Sequence, residues 1–232
     1  MVKVHGFNKL TLLDYPGRLA CTVFLGHCNF RCPFCHNAGL VLNPEDEPVI
    51  PIEEILGTLK KRKGILDGVC ITGGEPTVHK KLPEFVQQIK KMDYSVKLDT
   101  NGTNPQMVRE MVKAGLLDYV AMDIKNSPEK YGETAGIARA DLEAIHETVE
   151  FLKSGEVDYE FRTTVTRELH KKEDFLKIRK WISGSRRYFL QAYKESEQVI
   201  HPVYSSYSRE QLENFRQLLL EEISQVEIRG ID

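Results

Sequence analysis

The chain reads as an α/β protein built on a parallel sheet, and three observations predict this. Short runs rich in β-branched and aromatic residues alternate with longer amphipathic runs. Several helical runs carry their own start and stop signals. No linker, low-complexity tract or short-period repeat interrupts the alternation, so one domain over residues 1–232 is expected. Six strand–helix units fit an eight-unit barrel short of two repeats, an open six-unit barrel, or a doubly wound sheet. In all of these, chemistry belongs at the C-terminal ends of the strands.

The elements follow in order. Ala20–Leu25 is the first strand, and a Pro/Glu/Asp-rich loop at Asn43–Pro51 leads into a helix at Ile52–Arg62. Gly68–Thr72 precedes a helix at Leu82–Met92. Ser95–Thr100 precedes one at Pro105–Ala114, where Asn104 is the cap, Pro105 is tolerated in the first turn and Gly115 is the stop. Tyr119–Ile124 is followed by Leu142–Lys153, Asp158–Thr164 by Glu173–Ile182, and Arg187–Gln191 by Ser208–Ile223. Ser208 with Gln211 three residues on makes a capping box for the last of these. Weaker alternation puts a final strand at Val226–Arg229. The core spans about residues 14–200, with the helix and strand at 208–230 as an extension.

Composition narrows the function. Hydrophobic residues make up 41% and charged residues 28%, with a net charge of -2. Nothing in that balance points to nucleic acid or a membrane surface. No charged segment followed by an apolar run opens the chain, and no apolar stretch is long enough to span a bilayer, so a cytoplasmic location is expected.

Five cysteines without a secretion signal argue against a disulfide framework. Three of them, Cys28, Cys32 and Cys35, form C-x₃-C-x₂-C directly after the first strand, on the catalytic rim. Three thiolates on one turn can hold three corners of a cubic iron–sulfur cluster and leave one iron open. The alternative is a zinc site of Cys28, Cys32, Cys35 and His36. It would draw four ligands from nine consecutive residues, two of them adjacent, whereas structural zinc usually takes separated pairs. Cys21 and Cys70 lie within strands and read as core thiols.

Later strand ends carry further candidates. Thr72-Gly73-Gly74-Glu75-Pro76 offers glycines for close backbone approach and a carboxylate that can accept from an ammonium. Asp99-Thr100-Asn101-Gly102 is compatible with plain turn chemistry. In Met122-Asp123-Ile124-Lys125, the carboxylate and ammonium stand two residues apart and face one side.

The cysteine motif, with aromatic Phe34 before its third cysteine, resembles the signature of radical S-adenosylmethionine (SAM) enzymes. The resemblance implies an open partial (β/α)₆ TIM-like barrel of parallel strands. It also implies one [4Fe–4S] cluster on Cys28, Cys32 and Cys35, whose open iron chelates SAM. Reductive cleavage would give a 5′-deoxyadenosyl radical, with no catalytic residue beyond cluster and cofactor. SAM would contact Phe34, the Gly73–Gly74–Glu75 segment, Asn101, Asp123, Lys125 and Arg162, with His201 near its adenosine end.

Cys35-His36-Asn37, D-T-N-G, D-x-K and the Asp14-Tyr15-Pro16-Gly17 element are similar to the glycyl-radical-enzyme activases. That subgroup implies a monovalent cation held by Asp99, Thr100 and Asp123. The whole pattern resembles the long form of the anaerobic ribonucleotide reductase activating proteins. This implies a glycyl radical enzyme as partner and an electron donor such as flavodoxin or ferredoxin. A pyruvate formate-lyase-like partner, or a small-molecule substrate in cofactor or modified-base synthesis, remains the alternative. His27 stands where glycine is common before the first cysteine. The family's eight-cysteine ferredoxin-like insert has no counterpart here. His170 and Tyr188, Tyr193, Tyr204 and Tyr207 could line a partner groove or simply pack.

Overall fold

The computed structural model describes residues 2–231. Its centre is one eight-stranded sheet in sequence order: β1 (Val4–Thr11), β2 (Ala20–Leu25), β3 (Gly68–Gly73), β4 (Ser95–Thr100), β5 (Tyr119–Asp123), β6 (Asp158–Val165), β7 (Arg187–Ala192) and β8 (Gln225–Arg229). Helices α1 (Ala38–Leu42) and α2 (Ile52–Lys61) join β2 to β3. Then come α3 (Leu82–Lys90), α4 (Pro105–Lys113), α5 (Tyr131–Ala135), α6 (Leu142–Lys153), α7 (Lys172–Trp181) and α8 (Arg209–Leu219) between successive strands. β2 to β8 run parallel, and the sheet does not close: β1 and β8 remain its edges. This is the open partial barrel, with each of β2 to β7 followed by a helix.

β1 was not expected. It pairs antiparallel with β2. Its apolar residues Val4, Phe7 and Leu10 are three apart, and Asn8, Lys9 and Leu10 are exposed. A half-solvated edge strand with that spacing gives no period-two signal. The short helices α1 and α5 were also not read from the sequence, since five residues are too few to show a helical period.

The capping signals behave as their chemistry requires. Asn104 accepts from the Met107 N–H, and Gly115 closes α4 at φ +67°. Ser208 and Gln211 form the reciprocal capping box of α8. No helix among the described residues is long and apolar enough to cross a membrane.

The two faces of the sheet bury different chemistry. Outward-facing Val69, Ile71, Val96, Leu98, Val120 and Met122 pack with helix residues such as Leu59, Phe85, Val108 and Val149 in one apolar cluster. Inside the barrel the apolar cluster is small: Tyr15, Ala20, Tyr119 and Ala121. Tyr15 is buried, and its ring lies 5.9 Å from that of Tyr119. The Asp14–Gly17 element thus fills the end of the barrel opposite the strand C-termini. The rest of the lumen is polar. Lys97 and Glu160 are fully buried there, and Glu160 accepts from Arg229 at 2.8 and 3.0 Å and from Tyr119 at 2.9 Å.

The end of β3 meets the end of β2 backbone to backbone. Gly74 N donates to Leu25 O, and Glu75 N to His27 O, each at 2.8 Å. Gly73 adopts φ +114°, and a Cβ there would collide with the Leu25 backbone; one on Gly74 would strike the His27 carbonyl. Gly73→Ala is therefore expected to destabilise the fold by at least about 2 kcal/mol, read as a lowered urea midpoint. An unchanged midpoint would show that this junction is not close-packed.

Candidate active site

Strand C-termini and the cysteine loop enclose a cavity of about 220 Å³. Cys28, Cys32 and Cys35 all line it, together with Phe34, Gly73, Gly74, Glu75, Asp99, Thr100, Asn101, Asp123, Lys125 and Arg162. The sequence motifs, scattered over some 130 positions of chain, thus share one space. Thr72 of the glycine motif lines it too, as do Phe30, Val41, Thr164 and Gln191, which were missed. Thr164 and Gln191 close β6 and β7, and a polar residue at the C-terminal end of a parallel strand was the available signal.

The cysteine loop is held from several sides. Arg31 N donates to Ala135 O at 2.8 Å, fastening the loop to the end of α5. Asn37 Nδ2 donates to Gly73 O at 2.7 Å. Beyond β7, Ile200 N donates to Cys35 O at 3.1 Å and His201 N to Pro33 O at 2.8 Å. His27 explains the preference for glycine before the first cysteine: its φ is +61°, left-handed, a conformation a side chain adopts only at a cost.

His201 stands apart from the other expected residues. Its backbone binds the cysteine loop, but its side chain is exposed and does not line the cavity. Within the aromatic group, His170 and Tyr207 are engaged in packing and hydrogen bonds. His170 is fully buried and its Nε2 bonds Lys125 O at 2.8 Å, while Tyr207 Oη donates to His170 O at 2.7 Å. These contacts fix the backbone that presents Lys125.

Charge on the cavity floor is tightly paired. Asp123 and Arg162 are register partners on β5 and β6. Arg162 Nε donates to Asp123 Oδ1 at 2.8 Å, and its Nη1 donates to Asp99 Oδ2 at 3.1 Å. Lys125 Nζ donates to Asp123 Oδ2 at 3.0 Å, and buried Lys97 pairs with Asp99. Burial alone would raise the Asp123 carboxyl; Arg162 and Lys125 outweigh it and hold it well below the usual carboxylate range. Asp99 is lowered likewise by Arg162 and Lys97 against its own burial.

Glu75 has another role than a free carboxylate. It accepts from Thr77 N, Thr77 Oγ1 and Thr100 Oγ1 on Oε1, and from Asn101 N on Oε2, at 2.6–3.0 Å. Burial pushes its carboxyl up and these donors oppose the shift. The segment therefore presents backbone, not a spare carboxylate, to a ligand.

The thiols fit an iron–sulfur cluster. All three open on one cavity, and none is in a disulfide. Burial pushes the Cys28 thiol up to about 12 and Cys32 to about 11, with Lys125 pulling both down. They would thus become thiolates by exchanging a proton for a metal. His36 is a poor fourth ligand: its Nε2 bonds the Lys194 carbonyl at 2.5 Å. Among the described residues no three His, Cys, Asp or Glu side chains converge as a single ion requires. Cysteines holding corners of a cubane bind separate irons instead. Cys21 and Cys70 are fully buried away from the trio, Cys70 against Asp99 at 3.8 Å.

Comparison with known proteins agrees with this geometry. A family model described as the radical SAM superfamily matches residues 22–182. A protein of Methanocaldococcus jannaschii, provisionally named a glycyl-radical enzyme activating enzyme, is 33% identical over 199 residues, which is 84% of this chain and 81% of its own. The GTP 3′,8-cyclase of Alkaliphilus oremlandii is 34% identical over 128 residues, 53% of this chain but only 40% of that protein. Among solved structures, Streptococcus suis SuiB bound to S-adenosylmethionine superposes with a TM-score of 0.69 at 15% identity, over 88% of this chain and 48% of that one. A domain of a pyruvate-formate lyase-activating enzyme from Bacteroides vulgatus gives 0.57 at 16% identity, over 70% and 99%. At such identities the likeness to solved structures is one of fold.

The paired floor makes a pH prediction. A carboxyl lowered by folding stabilises the fold above its unfolded pKa and loses that contribution as pH falls below about 4. Asp123→Asn should therefore cost about 3 kcal/mol at neutral pH. The gap from the parent protein should shrink in urea titrations below pH 4. A gap constant down to pH 2 would contradict the pairing.

Proposed function

The chain belongs to the radical SAM superfamily, and on that premise we propose that it is a glycyl-radical-enzyme activating enzyme whose partner is an anaerobic ribonucleotide reductase. The observation that carries this is the shared cavity: three free thiols open on the same space as the ends of β3 to β6. When bound there, a reduced [4Fe–4S] cluster would supply SAM with the electron that breaks its S–C5′ bond, yielding the radical that takes hydrogen from a glycine of the partner.

In this reading Cys28, Cys32 and Cys35 hold the cluster, and Phe34 walls it. Backbone of Gly73 to Glu75 faces the SAM ammonium. Asp123, Lys125 and Arg162 orient its charged end from the floor, and Asn101 borders it. The extension at 208–230 acts as one unit with the core, since β8 extends the same sheet beside β7 and α8 packs on α7; a cytoplasmic location is part of the same proposal. A small electron carrier of the flavodoxin or ferredoxin type would reduce the cluster.

Charge at the cavity favours a polypeptide over a phosphorylated small molecule. Three lining carboxylates, Glu75, Asp99 and Asp123, face two lining cations, and both cations are already paired. A triphosphate substrate such as GTP would need cations to spare. A backbone glycine is uncharged and needs none, and the unclosed edge between β1 and β8 leaves room for a loop. The M. jannaschii relative supports the same choice through its coverage. Pyruvate formate-lyase-like enzymes are the second candidate partners.

A monovalent cation on Asp99, Thr100 and Asp123 would compete with a guanidinium. Arg162 already bridges both carboxylates, and Thr100 donates to Glu75. We therefore assign the neutralising role to Arg162.

Three outcomes follow. Anaerobic reconstitution with iron and sulfide, then SAM, a reductant and the reductase, should give a glycyl EPR doublet. Its absence with both reductase and lyase would remove the activase reading. Cys32→Ala should release no 5′-deoxyadenosine yet keep the parent urea midpoint; retained release would refute the cluster assignment. Replacing potassium with tetramethylammonium should leave SAM affinity unchanged, whereas a marked loss would restore the cation.

A further inference from the structure

The residue after the first cysteine makes contacts that the proposed chemistry does not use. Asn101 Nδ2 donates to Asn29 Oδ1 at 2.8 Å. Asn29 Nδ2 donates to Thr103 Oγ1 at 2.9 Å, and Thr103 Oγ1 donates to Asn101 Oδ1 at 2.7 Å. The three side chains close a ring in which each donates to the next, an arrangement that strengthens its members. Thr103 N adds a fourth bond to Asn101 Oδ1 at 3.1 Å. The ring continues inward, since Asn101 N donates to buried Glu75 at 2.6 Å.

We infer that Asn29 is a positioning residue: through this ring it sets where the cysteine loop stands relative to the β3 and β4 ends, and so where the open iron stands relative to SAM. The inference rests on the cluster-and-SAM reading above. Asn29 itself is exposed and neighbours Cys28, so it touches neither the proposed ligand atoms nor the cavity. Its side chain spans a gap that the backbone does not, because the loop's other anchors reach α5, β3 and the segment after β7. Removing it leaves the thiols in place but frees their loop on the β4 side. Asn101, expected from sequence to contact SAM, has its Oδ1 and one Nδ2 hydrogen committed to the ring, so it acts largely through the loop.

The test uses the reconstituted full chain. Asn29→Ala should keep the parent's iron and sulfide content and thermal midpoint. Its SAM dissociation constant should rise about three- to tenfold, the size of one or two lost hydrogen bonds. The shift that SAM induces in the EPR spectrum of the reduced cluster should shrink or broaden. Asn29→Asp, which keeps the acceptor for Asn101 Nδ2 but cannot donate to Thr103, should recover only part of the affinity. Thr103→Val breaks the ring from the other side and should act in the same direction. Parent-like affinity and spectrum in both ring-breaking variants would overturn the inference, as would loss of the cluster in Asn29→Ala or no recovery in Asn29→Asp. If the parent chain itself assembled no cluster or bound no SAM, the underlying reading would fall, and the positioning role with it.

Discussion

A guanidinium held between two carboxylates governs the inside of this barrel. Arg162 can bond Asp99 and Asp123 together only if β4, β5 and β6 keep their parallel register. Buried charges without partners are costly, so a slipped strand would strand one of them. The interaction therefore ties strand alignment to cavity chemistry. It also explains why the lumen can be polar although the apolar packing lies on the outer face of the sheet.

The cysteine loop shows the opposite economy. It contains no regular element, yet its backbone is bonded to α5, to the segment after β7 and, through Asn37, to β3. A loop meant to grasp a reactive cluster cannot rely on its ligands alone for shape, since thiols held high by burial remain protonated until metal arrives. Preorganisation by neighbours reduces the ordering that cluster assembly must supply.

The sequence was most informative where local physics decides structure. The helices α2, α3, α4, α6, α7 and α8 follow from their amphipathic period and caps, and the parallel strands from short apolar runs at strand-like spacing. The glycine pair and the carboxylates at strand ends were readable because a parallel sheet places such residues at one rim. β1 was not, because an exposed edge needs no alternation. Arg162 could be named but not its partners, since Asp99 lies 63 positions away along the chain. The placement of His201 was not legible either. Its position after β7 is at the rim, but the segment turns its backbone inward and its ring outward.

The Asp14–Gly17 element stoppers one end of the barrel with Tyr15. That plugs the floor and leaves the side open. Anything lodged among the lumen charges is reached over the rim of strand C-termini or past the unpaired edges of β1 and β8, never from beneath.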